Sequence, residues 1–263
     1  MEETIKARIH KVFREDVEEV EDTLIVEYPF TIYINDQEFI TLLCSPTALE
    51  YLATGFLVSE GIIKEQSQIK QLKLDEKNGH AYIYLNNSNY FSEKLFGKRT
   101  VTTGCGKGTI FYNALHSLGT GKLQSNFNIS AEKIYQLMED FNHKSDLFKE
   151  TGGVHSCGLF DEEGIILFHE DVGRHNALDK IIGEALIKDI ELSNKILITS
   201  GRISSEMIIK TSKRSIPIVI SRSAPTNLSY NIAQELGITL IGFARGKKLN
   251  LYHDENRVLF SEN

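Results

Sequence analysis

The sequence predicts an α/β (α+β) fold, a mixed sheet flanked by helices with a smaller strand-rich part on the N-terminal side. Two observations carry that expectation. From Lys195 onward, short apolar runs alternate with amphipathic ones in β-α-β-α-β order, the pattern of a parallel or mixed sheet covered by helices. Ahead of them, residues 5–85 hold mostly strand-type segments and a single helix. The polar, glycine-containing stretch 117–128 lies between and is the best boundary in the chain. It divides a strand-rich part over 1–125 from an α/β part over 126–263, unless the two form one continuous domain.

Taken in order, residues 5–13 alternate with period two, and strands over 24–28, 30–34 and 38–43 follow, with Asn35-Asp36 as turn chemistry. Ser45-Pro46-Thr47 opens a helix. Thr47 or Ser45 is its expected cap, Glu50 is placed to close a capping box with Thr47, and the helix ends near Gly61. Strands over 69–74 and 80–85 flank a turn at 75–79. A helix over 130–142 carries Ile134, Leu137, Met138 and Phe141 at helical spacing. Residues 151–160 enter a strand through Gly152-Gly153, 161–164 turn it, and 165–168 return. A polar run over 169–177 leads into a helix over 178–187. The β-α-β-α-β part then comprises strands over 196–200, 217–220 and 239–243 and helices over 204–212 and 226–236, the last with Gly237 as its C-cap.

With 263 residues, 41% of them hydrophobic, the chain can bury a sizeable core. A net charge of -7 leaves no general nucleic-acid footprint. Charge is uneven: Glu15, Asp16, Glu18, Glu19, Glu21 and Asp22 read as a solvated acidic segment. Arg202, Lys210, Lys213, Arg214, Arg222, Arg245, Lys247 and Lys248 make residues 195–248 basic. Cys44, Cys105 and Cys157 form no C-x-x-C pair. An odd count without a signal-peptide pattern fits a reducing cytoplasm, and no apolar run is long enough to span a bilayer.

The chemistry concentrates at two places. In the loop 101–109, Cys105 sits between Gly104 and Gly106 with Lys107 close behind. Flanking glycines let a large partner approach the sulfur, and an ammonium nearby favours the thiolate that attacks or carries sulfur. The competing reading is a turn around a small buried cysteine. The second place is the carboxyl ends of the three C-terminal strands: Ser200-Gly201-Arg202, Ser221-Arg222-Ser223 and Ala244-Arg245-Gly246-Lys247-Lys248. Ligands of open α/β sheets bind beyond these ends, and a cation with small residues near a helix start is how phosphates are held. Three such turns at one edge point to a phosphorylated ligand large enough to span it, although GxGxxG and GxxxxGK[ST] are missing.

His155, Glu170, Asp171, Arg174, His175 and Asn176 form a third, dense polar group. His155-x-Cys157 with His169 and His175 raises zinc, but no second pair completes a tetrahedron and the zinc-deaminase signature is absent, so no metal is expected. Cys44 and Cys157 are read as structural. Cys105 remains the candidate nucleophile, with Glu170, Asp171 and His175 as candidate charge-setting or proton-handling groups.

Thr-Thr-Gly-Cys-Gly at 102–106, Thr-Gly-Gly-Val-His-Ser-Cys-Gly at 151–158 and Glu-Asp-Val-Gly-Arg-His-Asn-Ala-Leu-Asp-Lys at 170–180 resemble the FdhD family. So do Thr-Ser-Gly-Arg-Ile-Ser-Ser-Glu-Met at 199–207, Gly-Phe-Ala-Arg-Gly at 242–246 and Gly-Phe-Leu-Val-Ser-Glu-Gly at 55–61. These are the formate dehydrogenase accessory sulfurtransferases, and the similarity runs in order over nearly the whole chain. The resemblance implies a cytidine-deaminase-like fold without the catalytic zinc, working as a homodimer. It implies sulfur accepted from a cysteine desulfurase as a persulfide and passed to the molybdenum cofactor, bis(molybdopterin guanine dinucleotide), which then serves apo-formate dehydrogenase. Cys105 is then the persulfide carrier, and Phe243, Ala244, Arg245, Gly246, Lys247 and Lys248 the cofactor-binding turn, beside Gly201, Arg202, Ser221 and Arg222. Where many family members carry Cys-x-x-Cys, this chain has Gly108, so the loop has no internal disulfide or two-thiol relay; a single persulfide is chemically sufficient. Two other classes stand beside this reading: a non-catalytic molybdenum-cofactor chaperone, and a metal-dependent nucleotide hydrolase or deaminase.

Overall fold

The computed structural model describes residues 1–86 and 121–260. The chain opens with a hairpin, β1 (Thr4–Phe13) against β2 (Asp16–Ile25). The acidic run expected as a solvated segment is therefore a strand. It is exposed, but its register sets Glu18 opposite Lys11 and Glu21 opposite Arg8, so the cross-strand charges complement each other. Four strands follow, β3 (Tyr28–Ile34), β4 (Gln37–Cys44), β5 (Ile69–Asp75) and β6 (His80–Leu85), paired in the order β4-β3-β6-β5 with β3 and β6 parallel. Alternation puts Phe30, Ile32, Ile34, Ala81 and Ile83 on the face packed against helix α1 (Leu49–Glu60).

The expected capping box of α1 does not form. Ala48 occupies the N-cap position with φ 53°, and Thr47 Oγ1 donates instead to Glu3 Oε1 at 2.8 Å. Ser45 is tied to Asp171: its N–H donates to Asp171 Oδ2 at 3.0 Å. Gly61 does end the helix, in the left-handed conformation glycine adopts freely.

The second part runs β7 (Ile129–Ser130), α2 (Ala131–Lys144), α3 (Asp146–Thr151), β8 (His155–Phe160), β9 (Ile165–Asp171), α4 (Arg174–Ile187), β10 (Ile196–Thr199), α5 (Ser205–Lys213), β11 (Ile218–Ser221), α6 (Asn227–Leu236), β12 (Thr239–Arg245), β13 (Lys248–His253) and β14 (Val258–Leu259). Its six-stranded sheet has the order β13-β12-β11-β10-β8-β9. β10, β11 and β12 run parallel, and the outer pairings are antiparallel. This is the expected mixed sheet flanked by helices. Ile196, Ile198, Ile218, Ile220 and Ile241 face α2 through Ile134, Leu137, Met138 and Phe141. Leu197, Val219 and Leu240 point the other way and share a core with Ile181, Met207, Ile208, Ile232 and Leu236. Burial on both faces is why these strands read as unbroken apolar runs.

That second core is continuous with the N-terminal sheet through the crossing of α1 and α4. A Cβ on Gly183 would lie 1.9 Å from the Tyr51 carbonyl oxygen, and one on Gly55 would lie 1.7 Å from that of Asp179. Glycine is required at both positions for the helices to approach so closely. Helix α4 begins at Arg174, earlier than its apolar pattern indicated, and α3 and β13 were not legible as elements. No helix among the described residues is long and apolar enough to cross a membrane.

Candidate functional site at the carboxyl edge of the sheet

Parallel pairing brings the ends of β10, β11 and β12 to one edge, and the turns beyond them are cross-tied. Arg222 N–H donates to Thr199 O at 3.2 Å, and Phe243 N–H to Ser223 O at 3.1 Å. The Ser221 hydroxyl is buried, donating to Gly201 O at 2.6 Å and accepting from Ser223 N–H at 2.9 Å, so it braces the turn. At the start of β8, which runs antiparallel to β10, Ser200 N–H donates to Ser156 O at 3.0 Å while Ser156 N–H donates to Ser200 Oγ at 2.9 Å.

On this braced edge stand Arg174, Arg202, Arg222 and Arg245. None of them pairs with a carboxylate among the described residues. Arg245 Nε donates to the Arg222 carbonyl at 3.0 Å. Gly201 lies against Arg174: a Cβ there would be 3.1 Å from Arg174 Cδ and 3.4 Å from His155 Nδ1. Burial, and then the neighbouring Arg202, push the Arg174 guanidinium below its ordinary value; burial and Arg245 do the same to Arg222. Glu206 acts on Arg174 in the opposite sense, and like charges gathered with so little compensation are a ready site for an anion.

The strand end at β12 is irregular. The ladder with β13 shifts between Gly242 and Arg245, Phe243 takes φ 50°, and its ring is 43% exposed. Left-handed backbone is uncommon for a bulky residue and marks a strained position. Here it turns an aromatic ring outward beside Arg245 while Ala244 stays buried. Gly246, at φ 54°, and Lys247 form the hairpin turn to Lys248, all exposed. Phe243, Arg245, Lys247, Lys248, Arg202 and Arg222 thus present side chains at the edge, and Gly201, Gly246, Ala244 and Ser221 shape the backbone beneath them. Lys210 and Lys213 do not join: Lys210 is buried against Asp179 at 2.7 Å, and Lys213 Nζ donates to Ser59 O.

The dense polar run 169–180 divides in two. Most of it is scaffold. Asp171 and Lys180, both fully buried, pair at 2.7 Å, and Asp171 also accepts from Ser45 N–H, Gly173 N–H and Asn176 Nδ2. Glu170 accepts from Leu147 N–H, Phe148 N–H and Ser156 Oγ, holding α3. His169 meets Glu184 at 2.6 Å, and His175 lies 3.2 Å from Ser204 Oγ. Arg174 remains from this run, and with His155 of β8 it lies against Gly201 at the edge. Sequence spacing could not separate them from the scaffold, because their neighbour Gly201 comes from a distant strand. No cluster of His, Cys, Asp and Glu suited to a metal occurs among the described residues.

Burial pushes the Cys44 thiol up to about 12, and the Cys157 thiol well above its ordinary range. Both are poor nucleophiles at neutral pH. Cys105 and its loop lie outside the described residues.

His155, His169 and His175 are all held below the ordinary imidazole value of 6.5, in each case chiefly by burial. The unfolded chain takes up these protons near pH 6.5, the folded chain only at lower pH, so stability falls as the pH drops through that window. Glu60 and Glu170, raised by burial, act in the opposite sense from pH 4.5 upward. The unfolding midpoint is therefore expected to drop between pH 7.5 and 5.5, and to drop less in a His169→Gln, His175→Gln double variant. An equal drop in that variant would assign the pH dependence elsewhere.

The profile of the FdhD/NarQ family matches residues 25–259. A Bacillus pumilus protein named sulfur carrier protein FdhD is 46% identical over 238 residues, covering 90% of each chain. One of the same name from Listeria innocua is 44% identical over 243 residues, covering 92% of this chain and 93% of its own. Among solved structures, a candidate formate dehydrogenase accessory protein from Desulfotalea psychrophila superposes with a TM-score of 0.78 at 25% identity, covering 97% of this chain and 99% of its own. On the profile, the relatives and the superposition together, this chain belongs to the FdhD/NarQ family.

Proposed function

We propose that the protein is a sulfur carrier for formate dehydrogenase, taking sulfur from a cysteine desulfurase as a Cys105 persulfide and delivering it to bis(molybdopterin guanine dinucleotide) bound at the carboxyl edge. The observation that carries the reading is the row of guanidiniums with no carboxylate partner among the described residues, beside an outward-turned Phe243. A guanine dinucleotide offers phosphates to the first and a purine ring to the second. The relatives' names, sulfur carrier proteins, point the same way. In the first step the Cys105 thiolate attacks the outer sulfur of the donor persulfide; the new S–S bond forms as the donor cysteine leaves as thiolate. In the second, the acceptor supplies an electron pair to the outer sulfur: the acceptor–sulfur bond forms as the S–S bond breaks, and the Cys105 sulfur leaves as thiolate. The protein's side chains bind and orient the acceptor; the acceptor's metal centre is substrate.

Complementation of a strain lacking its own carrier tests this. Cys105→Ala is expected to abolish formate dehydrogenase activity with folding intact. Arg245→Ala should weaken cofactor binding roughly tenfold or more, the scale of a charge-assisted contact. Full activity with Cys105→Ala and loss with Arg245→Ala would replace the carrier by a non-catalytic cofactor chaperone.

A further inference from the structure

We propose that the edge holds two separate anion subsites, one around Arg222 and Arg245 at the β11/β12 ends and a second around Arg174, Arg202 and His155 at the β8/β10 ends, so that its ligand carries two phosphate groups set apart along the sheet. The inference rests on the reading of this edge as a phosphate site. The strand order β12-β11-β10-β8 places the two groups two strand spacings apart, about 10 Å. The phosphorus atoms of one diphosphate, joined through one oxygen, lie closer together than these two groups of strand ends.

Each group has its own internal contacts. Arg245 Nε is bonded to the Arg222 backbone at 3.0 Å. Arg174 is packed with His155 over Gly201, where even a methyl group would press on Arg174 Cδ at 3.1 Å. The electrostatics split the same way: beyond the burial that chiefly depresses both, Arg202 lowers Arg174 and Arg245 lowers Arg222. The second subsite also holds an unmet donor. Arg174 Nε is buried and has no hydrogen-bond partner among the described residues. A buried donor left unpaired calls for an acceptor. Glu206 acts on Arg174 in the opposite sense to Arg202, and it also lies 3.6 Å from His175 and 3.8 Å from Lys210.

Calorimetric titration of the full chain with inorganic pyrophosphate is the test. Two sites per chain are expected. Arg174→Gln should weaken one about tenfold or more and spare the other, and Arg245→Gln should do the reverse. Arg202→Gln, at an exposed side chain, should repeat the Arg174 result without disturbing a buried group. A single site weakened by both Arg174→Gln and Arg245→Gln overturns the division and leaves the phosphate reading standing. Two sites indifferent to Arg174→Gln and Arg202→Gln overturn the second subsite. No binding by the wild-type chain overturns the proposal together with the phosphate reading, while persulfide formation on Cys105, measured separately, would still stand or fall alone.

Discussion

Gly183→Ala is expected to destabilise the protein by about 3 kcal/mol or more, lowering the unfolding midpoint by roughly 6–12 °C. The added methyl group would sit 1.9 Å from the Tyr51 carbonyl oxygen and 2.7 Å from Gly55 N. Both obstacles are helix backbone, so no side chain can swing aside, and α1 and α4 must separate along their crossing. Separation opens the core that joins the N-terminal sheet to the central one, adding lost packing to the overlap. Gly55→Ala should behave alike, since its methyl group would meet the Asp179 carbonyl at 1.7 Å. A change below about 1 kcal/mol in either variant, as for ordinary surface substitutions, would show that the helices do not pack this closely.

The second large effect is expected at Lys180. Lys180→Met removes the cation from a fully buried pair and leaves the Asp171 carboxylate with neutral donors only, which costs about 3–5 kcal/mol. Asp171→Asn should also destabilise, because Lys180 then keeps only the Ser45 and Glu170 carbonyls, at 3.4 and 3.5 Å. The double variant should be less unstable than the sum of the singles by about 1–3 kcal/mol, the signature of direct coupling. Strict additivity in urea denaturation would contradict the pair. Asp171 also accepts from Gly173 at the start of α4, so both variants should loosen Arg174 and weaken pyrophosphate binding at its subsite.

Local chemistry was legible in the sequence wherever the partner is near in the chain. Ser130, Ser204 and Thr226 cap their helices, and Gly61 and Gly237 end theirs, because each bond spans only a few residues. Thr47 and Glu50 failed as a capping box because the Thr47 hydroxyl is taken by Glu3, 44 residues away in the chain, and Ala48 occupies the N-cap position. The same limit hid the division of 169–180, where Asp171, Glu170 and His169 turn inward and Arg174 turns to the edge. β13 alternates exposed Lys248 and Asn250 with half-buried Leu249 and Leu251, a period-two run too short to read as a strand in sequence. The cationic edge was legible as three turns; its unpaired state depends on which charges the fold brings together. Lys210 reads as part of that edge in sequence and lies buried on Asp179 in the fold.

The most direct test of the carrier is intact-protein mass spectrometry after incubation with a cysteine desulfurase and cysteine. The account predicts a reducible gain of one sulfur atom on the wild-type chain that disappears in Cys105→Ala. With an active desulfurase, no gain on the wild type, or a gain that persists in Cys105→Ala, would contradict it.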